Sequence, residues 1–150
     1  MSLSLFLHVL SVVVWVGGMF FAYMALRPVA ASVLEPPQRL TLWAGVFGKF
    51  FPWVWASVAL ILATGLYMLM VLGGTGAPLY ALAMLVLGIL MMLIFAHVFF
   101  APYGRLKRAV AAQDWKAGGA ALGQIRILIG INLSLGLLTI AVVFLGRMFA

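Results

Sequence analysis

Four long apolar runs dominate the chain, and each is long enough to cross a bilayer as a helix of about 20 residues. The first covers residues 3–26 and ends at Arg27-Pro28. The second runs from about 50 to 72 and ends at Gly73-Gly74-Thr75-Gly76. The third covers 78–101 and is followed by Pro102 and Gly104. The fourth covers 125–145 and ends at Gly146-Arg147. Proline and glycine punctuate every boundary, where a helix loses a donor or its rigidity. The expected fold is therefore all-α: an integral membrane, up-down four-helix bundle, with residues 1–150 as one domain. The first run is too long for a signal-peptide core of roughly 7–15 residues and has no basic segment before it. It reads as a retained helix.

Charge fixes the orientation. Only 7% of the residues are charged, against about 25% in a soluble domain, so most of the surface must face lipid. The net charge of +7 would suit nucleic acid, but the basic residues sit in short loops between apolar runs and read as topology signals. Arg27, Arg39 and Lys49 lie in the first connection and its approach to the second span. Arg105, Lys107, Arg108, Lys116 and Arg126 lie in the third. The second connection has none, and the C-terminus has Arg147 alone. The positive-inside rule puts the basic side in the cytoplasm and both termini outside. The absence of cysteine excludes disulfides, iron–sulfur ligation and thiolate metal sites.

Two segments are not simple spans. Residues 36–50 read as a short interfacial helix leading into Pro52. Trp43, Phe47, Phe50, Phe51, Trp53 and Trp55 are then expected at headgroup depth. Residues 106–122 either extend the third span or lie on the inner surface. Gly119 and Gly123 form a small-xxx-small pair, but in a loop segment it is no sign of a transmembrane dimer. A weak internal echo links Phe20-Phe21-Ala22-Tyr23 before Arg27 with Phe99-Phe100-Ala101-Pro102-Tyr103 before Arg105.

Hydrocarbon penalises ionisable side chains, so His8 in the first span and His97 in the third are the leading functional candidates. Ser4, His8, Ser11, Trp15 and Gly18 share one helical face and should point into the bundle. His8 is either a packed imidazole bonded to a serine or carbonyl, or a metal or haem ligand; the second reading is favoured. Gly17 and Gly18 admit a close helix neighbour or a flat cofactor. Ser57, Thr64 and Met68, with Gly65 beside them, mark one face of the second span. Asn132, Gly136 and Thr139 mark one face of the fourth. Both stripes read first as interhelical hydrogen bonding and close packing. Met84, Met91 and Met92 read as filler. His97 precedes Arg105, Lys107 and Arg108. It suits a haem whose propionates meet the basic loop, or a histidine snorkelling to the interface. The run boundaries separate His8 and His97 by roughly 20 Å along the membrane normal, too far for one iron. Met68 lies nearer the depth of His8 and is the candidate second ligand. The alternative is His8 of a second copy across a two-fold axis, in a homodimer. The carboxylates, Glu35 and Asp114, lie in the inner loops, so redox turnover would require a cofactor.

These residues resemble a known family. Leu7-His8, then six residues to Trp15, then Gly17-Gly18-x-Phe20 is similar to the first helix of HemJ/CopD-related bacterial inner-membrane proteins. Thr64-Gly65-Leu66 resembles their second helix. His97 running into Tyr103-Gly104-Arg105-Leu106-Lys107-Arg108 resembles their third helix and inner loop. The HemJ side of the resemblance implies protoporphyrinogen oxidation with haem b, and its first-helix histidine ligand maps onto His8. The lysine that ligates in its third helix has no counterpart here, because no lysine lies between Lys49 and Lys107. The CopD side implies copper handling. The outer loop, residues 73–77, lacks the Met- and His-rich sequence that would capture copper. The favoured expectation is a small haem b membrane protein, passing electrons to a redox partner or quinone, or oxidising a porphyrinogen- or quinol-like substrate. His8, Met68 and His97 would be its candidate ligands. Trp15, Gly17, Gly18 and Ser11 would face the haem, and Arg105 and Arg108 would meet its propionates. The alternative is copper transport through His8, His97 and methionines, soft enough for Cu(I). A third reading is a structural protein with no cofactor.

Overall fold

The computed structural model describes residues 1–149. Helix α1 covers Ser2–Phe21, continues through one π turn at Ala22–Leu26, and runs on as α2, Arg27–Val33. Helix α3 covers Pro36–Val71. A 3₁₀ turn at Gly74–Gly76 leads to α4, Leu79–Phe100, followed by α5, Pro102–Ala111, and α6, Trp115–Met148. The joined α1–α2, α3, the joined α4–α5, and α6 are the four helices long and apolar enough to cross a membrane. No β-strand occurs among the described residues.

Side-chain contacts fix the directions. His8 meets Thr64 and Gly18 meets Phe50, so α1 and α3 are antiparallel. Asn132 bonds to the carbonyl of Met91 and Gly146 faces Tyr80, so α4 and α6 are antiparallel. Gly136 against Val16 and Gly130 against Tyr23 set α6 antiparallel to α1. The four-helix up-down bundle is thereby established. One end carries both chain ends and the 3₁₀ turn. The other carries most of the Lys and Arg residues and is the basic end.

Helix ends differ from the expected span limits, for local reasons. The first rod passes Arg27-Pro28 and stops at Val33. Proline removes a donor and crowds the carbonyl four residues earlier. The wider π turn just before Pro28 relieves this, with the Arg27 N–H reaching the Ala22 carbonyl five residues back. Residues 36–50 are no separate interfacial helix. They form the first turns of α3, which starts with Pro36 and carries Pro52 inside. Proline is well suited to a first turn, where its missing N–H is not needed. The 106–122 segment is divided: its first part belongs to α5 and its last part to α6. Ala101, at φ −114° and ψ −85°, breaks α4 from α5 just before Pro102. The Asp114 carboxylate accepts the Ala117 N–H at 3.2 Å and caps α6, which starts ten residues before the expected fourth span.

The core is an aromatic seam. Leu40, Trp43, Phe47, Phe51, Val54, Ser57 and Thr64 are buried along one face of α3, at intervals of three or four residues as far as Ser57 and of seven from there to Thr64. Phe47 stacks on Phe51, with centroids 4.9 Å apart, and Tyr103 of α5 meets Phe51 edge-on at 4.9 Å. Trp55 and Trp15 each meet Phe95 of α4 edge-on, at 4.9 and 6.2 Å. Trp43, Phe47 and Phe51 therefore point into the bundle. Trp53, on the opposite face, is 67% exposed and is the one turned outward.

Candidate functional site

The α1–α3 seam holds the polar cluster nearest to metal chemistry. His8 Nδ1 lies 3.0 Å from the Thr64 hydroxyl oxygen. That hydroxyl donates to the Leu60 carbonyl at 2.5 Å. The contact to Leu60 is the shorter of the two, so we assign the hydroxyl proton to it; on that assignment the hydroxyl accepts from His8 and Nδ1 carries the ring hydrogen. The Ile61 carbonyl is a second acceptor beside the ring, and on this assignment Nε2 is the unprotonated nitrogen. Gly65 makes this approach feasible: a Cβ there would stand 3.3 Å from His8 Cε1. Sequence reasoning placed Thr64 and Gly65 on a packing stripe but did not pair them with His8. The available signal was the antiparallel order of the first two spans, which brings the end of one to the start of the other.

The other first-span candidates serve packing. Ser11 is buried and returns its hydroxyl to the Leu7 carbonyl at 2.8 Å, a local helix bond. Trp15 is buried against Phe95. Gly17 is exposed and a Cβ there would meet nothing within 4 Å. Gly18 gives its space to the Phe50 ring, so a helix neighbour, not a flat cofactor, occupies that gap.

Met68 is half-buried, one turn beyond Thr64 toward the end holding the chain termini. Its Cα is about 6 Å of helix rise from that of Thr64, which is level with His8. His97 is exposed on the last turn of α4. Trp15 and Phe95 are level, which sets His8 and His97 about nine residues, or roughly 14 Å, apart along the bundle. They do not form one site. Arg105 donates to the Gln124 side chain of α6, and with Arg108 it lines a cleft between α5 and α6 that also holds Asp114. That cleft contains neither histidine. A second cavity, near Arg27, Arg39 and Arg126, lies at the basic end and also contains no histidine or methionine. Among the described residues, no three His, Cys, Asp or Glu side chains come together as a metal cage.

The model of one protein family, copper resistance protein D (CopD), matches residues 44–145. The match takes in Thr64, Met68 and His97 and leaves His8 outside. No curated protein and no solved structure matches the chain. A match over well more than half of the sequence, on a bundle of membrane-crossing helices, shows that this multi-pass membrane protein belongs to the CopD family.

Proposed function

We propose that this protein handles copper within the membrane, with His8 as the imidazole that receives the ion. One observation carries the reading: Nδ1 of His8 lies 3.0 Å from a hydroxyl whose shorter contact, at 2.5 Å, is to a backbone carbonyl, which assigns the hydroxyl proton to that carbonyl. Metal-binding histidines are oriented in this way, by a hydrogen bond from the ring nitrogen that does not ligate. Nε2 is then the ligating atom. Met68 supplies a thioether from the next turn of α3, and imidazole with thioether suits Cu(I), which accepts few and soft ligands. Copper is the cargo here, and the family match is what favours copper over other soft ions.

Haem b makes a different demand on the same imidazole. A porphyrin needs a planar slot beside the ring, and on the α3 side the ring lies against Gly65. Neither described cavity is lined by His8, Met68 or His97. An ion needs no such slot.

The test is to purify the full chain from copper-supplemented cells and assay copper and haem in the same sample. The expected result is colourless protein with near-stoichiometric copper, lost from His8→Ala and lowered in Met68→Leu. A red preparation with a pyridine-haemochrome band and no copper replaces the copper reading with the haem one. Metal-free, colourless protein removes both.

A further inference from the structure

We propose that the arginine-lined cavity at the basic end binds the phosphate headgroup of an anionic membrane lipid. The cavity measures about 300 Å³ and lies between the α1–α2 rod, the first turns of α3 and the first turns of α6. Each of these elements contributes one arginine: Arg27, Arg39 and Arg126. No carboxylate lines it, so the protein supplies three positive charges and no counter-charge.

Two of the guanidiniums are held by uncharged groups. Arg27 lies over the Tyr23 ring at 4.5 Å and donates Nε–H to the Tyr23 carbonyl at 3.2 Å. Arg39 donates through Nη2 to the carbonyls of Ala31 and Leu34, at 3.2 and 3.0 Å. Its Nε is buried and has no partner. Phosphate oxygens match the guanidinium fork in charge and geometry, and they would meet the cavity-facing edges of these arginines.

The cavity is amphipathic along the membrane normal. One turn deeper than each arginine stands an aromatic or aliphatic wall residue: Tyr23, Trp43 and Ile129. A free phosphate ion would use only the charged end, whereas a lipid uses both. Gly119 and Gly123 line the cavity, and the space beside each is open, since a Cβ at either would meet nothing within 4 Å. The small-xxx-small pair thus belongs to a helix and faces the cavity.

The experiment uses native mass spectrometry of the full chain in detergent, with phosphatidylglycerol or phosphatidylcholine of identical acyl chains added at equal concentration. A parallel arm adds inorganic phosphate. The expected result is a one-lipid adduct at least about tenfold more abundant with phosphatidylglycerol, following guanidinium–phosphate pairing without a compensating choline. Arg126→Gln and Gly123→Leu should each reduce that adduct about fivefold or more, one by charge and one by volume. Both positions lie off the packed core, so circular dichroism should show unchanged helicity. Arg39 is a poorer test, because its Nη2 bonds tie down the end of α2. Equal retention of the two lipids overturns the proposal, as does an adduct unaffected by either variant. Inorganic phosphate that binds as well as the lipid and strips it at millimolar concentration assigns the cavity to a free anion and overturns the lipid source.

Discussion

At the scale of single residues, the proposed copper chemistry rests on the relay from His8 through Thr64 to Leu60. It fixes which ring nitrogen is free, and it does so without any charged partner. Losing such a supporting bond typically weakens metal binding by about 10–100-fold. Thr64→Val removes the acceptor while keeping the shape of the side chain. We expect copper affinity to fall by about that factor, measured by competition with a chromogenic Cu(I) chelator. Thr64→Ser keeps the hydroxyl and should stay within about threefold of the native protein, well inside the range set for loss of the bond. Equal behaviour of the two variants would show that the hydroxyl does not support the ligand. The histidine itself was legible from the sequence, because an ionisable group in an apolar run stands out. Its partner was not, because a threonine carrying its own helix bond to Leu60 looks like ordinary packing until the register of α1 on α3 is known.

Between helices, the α1–α3 contact depends on two missing side chains, at Gly65 and, more tightly, at Gly18. A Cβ at Gly18 would overlap the Phe50 ring, whereas one at Gly17 would meet nothing. Overpacking of this kind typically costs about 1–3 kcal/mol, against roughly 1 kcal/mol gained when alanine replaces a helical glycine. Gly18→Ala should therefore lower the melting temperature in detergent. Gly17→Ala should leave it unchanged or raise it. In a Phe50→Ala background the Gly18→Ala penalty should vanish, which a double-mutant cycle reads directly. A penalty that persists without the Phe50 ring would place the clash elsewhere. The existence and order of the four spans could be read from composition and length alone. Their ends could not. Pro28, Pro52 and Pro102 look alike in sequence, yet the first is absorbed by a π turn, the second lies inside α3, and the third sits beyond the break at Ala101. Context, not the residue, decides which of these outcomes a proline has. The inward turn of Trp43, Phe47 and Phe51 follows from a helix that starts at Pro36, and a helix starting near residue 50 would not specify it.

Across the whole molecule, charge is segregated along the bundle axis, and the two proposed sites fall at opposite ends of it. His8 lies near the end holding the chain termini, and the arginine cavity near the basic end. Orientation in the bilayer therefore decides which compartment each site serves. Positive residues are retained on the cytoplasmic side, so His8 should open toward the exterior and the arginine cavity toward the inner leaflet, where anionic lipid is available. The chain has no cysteine, so single cysteines report position without background. Thr75→Cys lies in the turn between α3 and α4, and Ala112→Cys follows α5; both positions are exposed. A membrane-impermeant maleimide should label Thr75→Cys in intact spheroplasts and Ala112→Cys only after permeabilisation. The reverse pattern would invert the bundle. Copper would then be received at the cytoplasmic face, and the arginines would need an anionic lipid in the outer leaflet, so both proposals depend on the same measured orientation for their physiological direction but not for their binding chemistry.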